Sequence, residues 1–226
     1  ADQLHVDLWW DGINIAQDAG TFSYNCEPPW QNPFSSTLVH NTISVDDEDQ
    51  MLKAGKFLWL KQAHAHWLHE NDNEICASHD GYKRMGLDHQ RTLYLENSDH
   101  ILVSDLLIFT NNYDERNIHL HWLLPDWQWK LEGQRLTLQE GDRIVALSIN
   151  AASAKDSSAR LADDISFIRA GETLAGERKN PVLGWVSDTY GEKHPALSYS
   201  CLFRSDNTLQ IDSIFKLSKS TSRTGK

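Results

Sequence analysis

Residues 4–24, LHVDLWWDGINIAQDAGTFSY, decide the fold. Leu4, Val6, Leu8 and Trp10 alternate with His5, Asp7 and Trp9, the period-2 pattern of a strand with one buried face. Asp11-Gly12 follows, a pair suited to a two-residue hairpin turn because both turn positions need positive φ. Ile13 and Ile15 resume the apolar face, so Asn14, Ala16 and Asp18 point the other way. Asp18 ends this second strand just ahead of Ala19-Gly20, where it is either a turn residue or a ligand.

The same alternation extends along the chain. Residues 26–36 carry three of the six prolines and predict a loop. Residues 37–45 read as a strand with Val39, Asn41, Ile43 and Val45 on one face and His40, Thr42 and Ser44 on the other. The acidic run 46–50 reads as a solvated hairpin tip. Further strands are expected at 57–68, 75–79, 90–96, 101–110, 117–124, 127–131, 135–138, 143–149, 165–169, 184–188, 196–204 and 209–217. The small, polar stretch 151–164 predicts a surface loop or short helical turn, and the basic tail 218–226 predicts disorder. About twelve to fifteen short strands with no sustained helical period predict an all-β fold, a large two-layer antiparallel β-sandwich. No internal repeat points to a propeller.

Composition narrows the function. The 226 residues allow one large core, and no run approaches the ~20 apolar residues of a membrane-spanning helix. A net charge of −11 argues against nucleic acid as a partner and is in tension with a polyanionic one. Cys26, Cys76 and Cys201 fit neither a disulfide framework nor a CxxC zinc motif and predict free buried thiols, with one bridge left open. Ala1 leads almost directly into strand pattern, so the chain reads as cut from a longer protein whose secretion signal would lie upstream.

Four constellations could carry chemistry. Asp18 and His40 are of zinc-ligand type, and a third ligand would complete a site; the alternative is a turn Asp and a hydrogen-bonded strand His. His64 and His66, with His69 nearby, and His119 with His121 stand at strand spacing for chelation, or simply decorate a polar face. The run 122–129, WLLPDWQW, offers either sugar-stacking faces or core tryptophans. No GxSxG, phosphate loop, HExxH or dinucleotide fingerprint is present.

Residues 1–24, ADQLHVDLWWDGINIAQDAGTFSY, with HNTISVDDEDQM at 40–51, resemble the C-terminal domain of heparinase II/III-like proteins, the group of heparinases and oligoalginate lyases. GYKRMGLDHQRTLYL, LHWLLPDW and GWVSDTYGEKHPALSYS extend the similarity to about residue 217. The resemblance implies a sandwich domain over 1–217 that works with an N-terminal helical toroid upstream. It implies a zinc ion held by a His, an Asp and a second His, of which Asp18 and His40 match the last two. The first His would fall immediately before Ala1. It implies β-elimination on a uronic-acid-containing polysaccharide: a base removes the C5 proton and an acid protonates the departing O4. A catalytic Tyr and His would come from the toroid and a further His from just upstream of the zinc His, leaving none in this chain, which alone would be inactive. The metal would be structural. The implied setting is the bacterial periplasm or cell envelope, near exopolysaccharide genes. The alternative is a non-catalytic carbohydrate-binding or scaffold module, favoured by the tryptophans and the acidic charge. A basic rim drawn from Lys53, Lys56, Lys61, Lys83, Arg84 and Arg91 would favour the lyase.

Overall fold

The structure, a computed structural model, describes residues 1–110, 115–153 and 160–220. Its strands in chain order begin with β1 (Leu8–Trp10), β2 (Ile13–Ala16), β3 (Ile43–Val45), β4 (Leu52–Lys53), β5 (Trp59–Leu60), β6 (Ala65–Glu70), β7 (Glu74–His79), β8 (Leu87–Asn97) and β9 (His100–Phe109). They continue with β10 (Arg116–Pro125), β11 (Gln128–Glu132), β12 (Arg135–Glu140), β13 (Arg143–Ser153), β14 (Asp164–Arg169), β15 (Glu172–Ala175), β16 (Trp185–Val186), β17 (His194–Ser205) and β18 (Leu209–Lys219).

Two antiparallel sheets form the sandwich. The larger has eight strands in the order β11-β12-β13-β18-β9-β8-β7-β6. The smaller has six, β15-β14-β17-β10-β3 with β16 on β17. Their facing residues alternate along each strand, as a sheet with one core face requires. Val103, Val145, Leu147, Ile211 and Phe215 from the larger sheet meet Ile118, Leu120, Trp122, Tyr199 and Phe203 from the smaller, all buried. Trp122 lies edge-on to Phe215 at 4.9 Å and donates its indole N–H to Ser213 Oγ at 3.0 Å, so its one polar atom is satisfied.

The outer face of the smaller sheet carries a second apolar cluster. Ala19, Phe34 and Val39 pack there on Leu123, Ile168 and Ala196. Residues 17–40 thus fold onto the back of β10, and this places the candidate site.

Several local expectations change. The first strand spans only Leu8–Trp10, because Leu4 sits at φ 58°, outside the pleat. The hairpin turn is as read: Trp10 pairs with Ile13, and Asp11 and Gly12 take φ of 51° and 76°. Residues 37–45 do not form one strand. Thr37–Val39 is a 3-10 turn, His40 to Thr42 are irregular, and only Ile43–Val45 pairs. The turn forms because Asp49 Oδ1 accepts the Thr37 N–H at 2.6 Å and Ser36 caps Leu38. The stretch 57–68 is split between β5 and β6. The basic tail begins later than residue 218, since Ser218 and Lys219 pair with Ile144 and Arg143; residues 221–226 lie outside the described residues. The loop expected at 151–164 includes 154–159, which also lie outside them, while β13 runs to Ser153. All three cysteines are free, but Cys26 is exposed rather than buried. No helix among the described residues is long and apolar enough to cross a membrane.

Candidate metal centre

β10 has β3 on one edge only as far as Leu120. Beyond that, two irregular segments take over the edge. Gln17 donates its N–H to Leu123 O at 2.8 Å, and the Leu123 N–H goes to Asn41 Oδ1 at 2.6 Å. The Asn41 side-chain amide donates to Val6 O at 2.9 Å and Gln17 O at 3.0 Å. Asn41 is fully buried with its side-chain amide satisfied, and it binds together the segments that carry His5, Asp18 and His40.

Those three residues form one cluster. Each offers a ligand-type atom, and the atoms all lie within 4.8 Å of one another. Asp18 Oδ2 is 3.0 Å from His40 Nδ1 and 3.7 Å from His5 Nε2. Asp18 Oδ1 accepts the Gly20 N–H at 2.7 Å. Gly20 is at φ +74° and a Cβ there would lie 2.0 Å from Ser187 O, so only glycine lets the chain pass beneath residue 187 and aim the carboxylate. The Asp18 side chain is 45% exposed, whereas that of His40 is 7% exposed. The cluster therefore opens to solvent on its carboxylate side.

The electrostatics follow from this packing. Partial burial pushes the Asp18 carboxyl up, but the His40 contact, the Gly20 N–H and His5 outweigh it and hold it below the ordinary carboxylate range. Burial, with His40 adding to it, pushes the His5 ring down to about 4 against the pull of Asp18. His5 is thus neutral at pH 7. The Asn41 N–H donates to its Nδ1 at 3.0 Å, so the proton of the neutral ring sits on Nε2. That Nε2 is buried and has no hydrogen-bond partner.

One carboxylate and two imidazoles are a zinc donor set, and adjacent ligands of a tetrahedral ion with bonds of about 2.0–2.1 Å stand about 3.3 Å apart. Asp18 Oδ2 and His40 Nδ1 fit as they stand, since an ion would replace the proton between them. His5 fits by position and by its orphaned Nε2. An ion there would need the ring proton moved to Nδ1, at the cost of the Asn41 bond. Two ligand candidates, Asp18 and His40, are legible in the sequence of this chain, with a third expected before Ala1; the structure adds His5 to the set. The signal was hidden because His5 reads as one polar residue of an alternating strand, while the backbone actually turns at Leu4.

The other candidates do not assemble. His64 faces Asp80, His66 bonds Ser78 and His69 bonds Glu74, three separate partners. His119 Nδ1 accepts from Arg178, and His121 is buried, donating to His40 O and accepting from Ser198 Oγ. Burial pushes the His121 ring down to about 3. Among the described residues no other group of His, Cys, Asp and Glu offers three ligand atoms this close. Trp122 belongs to the core, and Trp129, 42% exposed, packs edge-on against Phe167, so the tryptophan run is not one stacking face.

The basic rim is also redrawn. Arg84 is spent on the backbone carbonyls of Asp49, Gln50 and Gly81, and Lys83 faces Asp88. Lys56 remains at a hollow of about 270 Å³ that Gly20, Tyr24, Phe57 and Trp59 also line, with Lys53 over the Trp59 ring.

Arg91 is not on a rim but buried beside the site. It grips Asp105 with both ends of its fork, Nε to Oδ1 at 2.7 Å and Nη2 to Oδ2 at 2.8 Å. Asp105 also accepts His89 Nε2 at 2.6 Å, His89 Nδ1 meets His79 Nε2 at 2.9 Å, and His79 Nδ1 accepts the Gly81 N–H at 3.1 Å. The backbone donor at the end fixes every tautomer: each ring carries its proton on Nε2 and donates that hydrogen bond in the direction of Asp105. Burial pushes Asp105 up, but Arg91 and His89 outweigh it and hold the carboxyl at about 2; burial drives His79 down to about 2 and lowers His89.

Comparison with known proteins agrees with this architecture. The sequence matches the family described as heparinase II/III-like, C-terminal, over residues 1–219. This chain belongs to that family and is its C-terminal, sandwich domain. Among solved structures, heparinase III is similar with a TM-score of 0.71 and 16% identity, over 100% of this chain and 31% of that one. A mutant of the heparan sulfate lyase HepC from Pedobacter heparinus gives a TM-score of 0.68 and 20% identity, over 98% of this chain and 31% of that one. At these identities the likeness is one of fold, and this chain spans less than a third of either relative. A search of curated proteins gives no match.

Proposed function

We propose that this chain is the sandwich half of a polysaccharide lyase that cleaves uronic-acid-containing polysaccharide by β-elimination. It works with an N-terminal helical domain that supplies the base for the C5 proton and the acid for O4. Membership in the heparinase II/III-like family carries this reading. The His5–Asp18–His40 cluster supports it, because its carboxylate is half-exposed and bonds Gly20, which also lines a hollow with aromatic walls and lysine at its edge. Such a hollow suits a sugar ring that presents C–H bonds to Tyr24, Phe57 or Trp59 and a carboxylate to Lys56.

Asp18 and His40 would hold a zinc ion, with His5 in reach as third ligand. When bound, the ion supplies positive charge and a crosslink between the segments that end at Asp18 and His40. This chain's own residues hold and orient; none is assigned a proton-transfer role. The setting we propose is the periplasm or envelope of a bacterium that handles exopolysaccharide.

The full-length protein is to be tested on alginates and glycosaminoglycans, following absorbance of the unsaturated product. Cleavage of at least one uronate polymer is expected; no cleavage across the panel sinks the lyase reading. The net charge of −11 favours a second reading, a carbohydrate-binding module without catalysis. Retention on a neutral glycan column without any cleavage would select it.

A further inference from the structure

We infer that Arg91 is the positioning residue of the His5–Asp18–His40 site. Its Nη1 donates to two backbone carbonyls, Leu4 O at 2.7 Å and Asn41 O at 2.5 Å. One belongs to the residue before His5 and the other to the residue after His40. A single guanidinium thus sets the spacing of two site histidines that lie far apart in sequence. Leu4 is at φ 58°, a left-handed conformation that a bulky residue keeps only where its surroundings hold it. Arg91 supplies that hold. Asn41, gripped at its carbonyl, presents its own N–H to His5 Nδ1.

The fork geometry explains why arginine stands here. The Nε and Nη2 edge is locked onto Asp105, which aims Nη1 at the two carbonyls. Asp105 is held in turn by His89 and, behind it, His79. The Arg91 head also lies over the Trp122 ring at 5.7 Å, so the core fixes it from below. A lysine could reach one carbonyl but could not hold Asp105 bidentately at the same time.

The inference rests on the cluster being a metal site, and its test separates the two claims. Co²⁺ affinity is measured in the full-length protein for the wild type, Arg91→Met, Arg91→Lys and Leu136→Ala, a buried core position in β12 away from the cluster. Arg91→Met is expected to weaken Co²⁺ about tenfold or more, the usual effect of removing a group that orients ligands. Arg91→Lys should fall between, and Leu136→Ala should bind as wild type although it lowers the melting temperature. Arg91→Met binding within about twofold of wild type, or Leu136→Ala losing as much affinity, overturns the inference. A wild type that takes up no Co²⁺ overturns the metal reading alone. In that event the ¹⁵N shifts of the labelled His5 ring decide: Arg91→Met should disturb the fixed Nε2–H tautomer, and an unchanged ring overturns the positioning role. If Arg91→Met does not fold, Arg91→Lys serves for both measurements.

Discussion

Two groups of histidine and aspartate meet at Arg91, and they differ in what their polar atoms have to bond to. In the Asp105 group every ring nitrogen has a partner, and the side chains are buried. In the Asp18 group one ring nitrogen is buried without a partner and the carboxylate is 45% exposed. A low-dielectric interior penalises an unpaired polar group, so closed networks belong to the frame. An open network leaves polar atoms available to a further partner. Residue type alone would have ranked the two alike.

The contrast gives four predictions, the strongest first. Asp105→Ala leaves the Arg91 guanidinium and the His89 N–H buried without their acceptor, and should cost about 3–5 kcal/mol in denaturant unfolding. A loss below about 1 kcal/mol would mean the Asp105 group is not part of the frame. Gly20→Ala forces a Cβ to within 2.0 Å of Ser187 O at positive φ. It should cost about 1–3 kcal/mol and also displace Asp18, so metal uptake must fall along with the melting temperature. Uptake intact in a destabilised Gly20→Ala would detach the site from this turn.

The third prediction uses pH. His79 has a folded-state value of about 2 against an ordinary value of 6.5, so the unfolded chain takes the proton first as pH falls. Its stabilisation is full above pH 6.5 and declines below it by up to about 1.4 kcal/mol per pH unit. Asp18, held below its ordinary value, contributes above that value and loses its share only in stronger acid. Unfolding measured from pH 7 to pH 5 should therefore weaken in the wild type and weaken less in His79→Gln. Equal slopes would show that His79 takes up its proton alike in the folded and unfolded chain, so that burial does not lower it. The smallest effect on the fold is expected for Asp18→Asn, within about 1 kcal/mol of wild type because the side chain is half-exposed. Zinc retained after dialysis should nevertheless drop to background, and retention at the wild-type level would exclude Asp18 as a ligand.

Much of the frame was legible because alternation is a local signal. The Asp11-Gly12 turn, the long strands β9, β10, β17 and β18 and the two-sheet packing all follow from residues close in sequence. The pairing within the candidate site was legible in part: Asp18 and His40, singled out together in the sequence, lie 3.0 Å apart. His5 was not, since its place depends on the turn at Leu4, and that turn depends on Arg91, distant in the sequence. Arg91 was misread for the same reason. An arginine in a strand usually faces water, and only its meeting with Asp105 across the β8–β9 pair puts it inside. The 3-10 turn at 37–39 likewise rests on Asp49, whose acidic neighbours made it look like solvent-facing decoration.

The bonds from Gly81 through His79 and His89 to Asp105 all point one way. A carboxylate behind an imidazole invites comparison with a proton relay, but this wire has a dead end. To pass a proton along it, each ring would have to hand its Nε2 hydrogen forward and receive another at Nδ1. The last Nδ1 faces a peptide N–H, which has no proton to give at neutral pH. The line conducts nothing. It acts as a ratchet that holds Asp105 in one orientation, and mechanical constancy, not proton traffic, is what it delivers to Arg91.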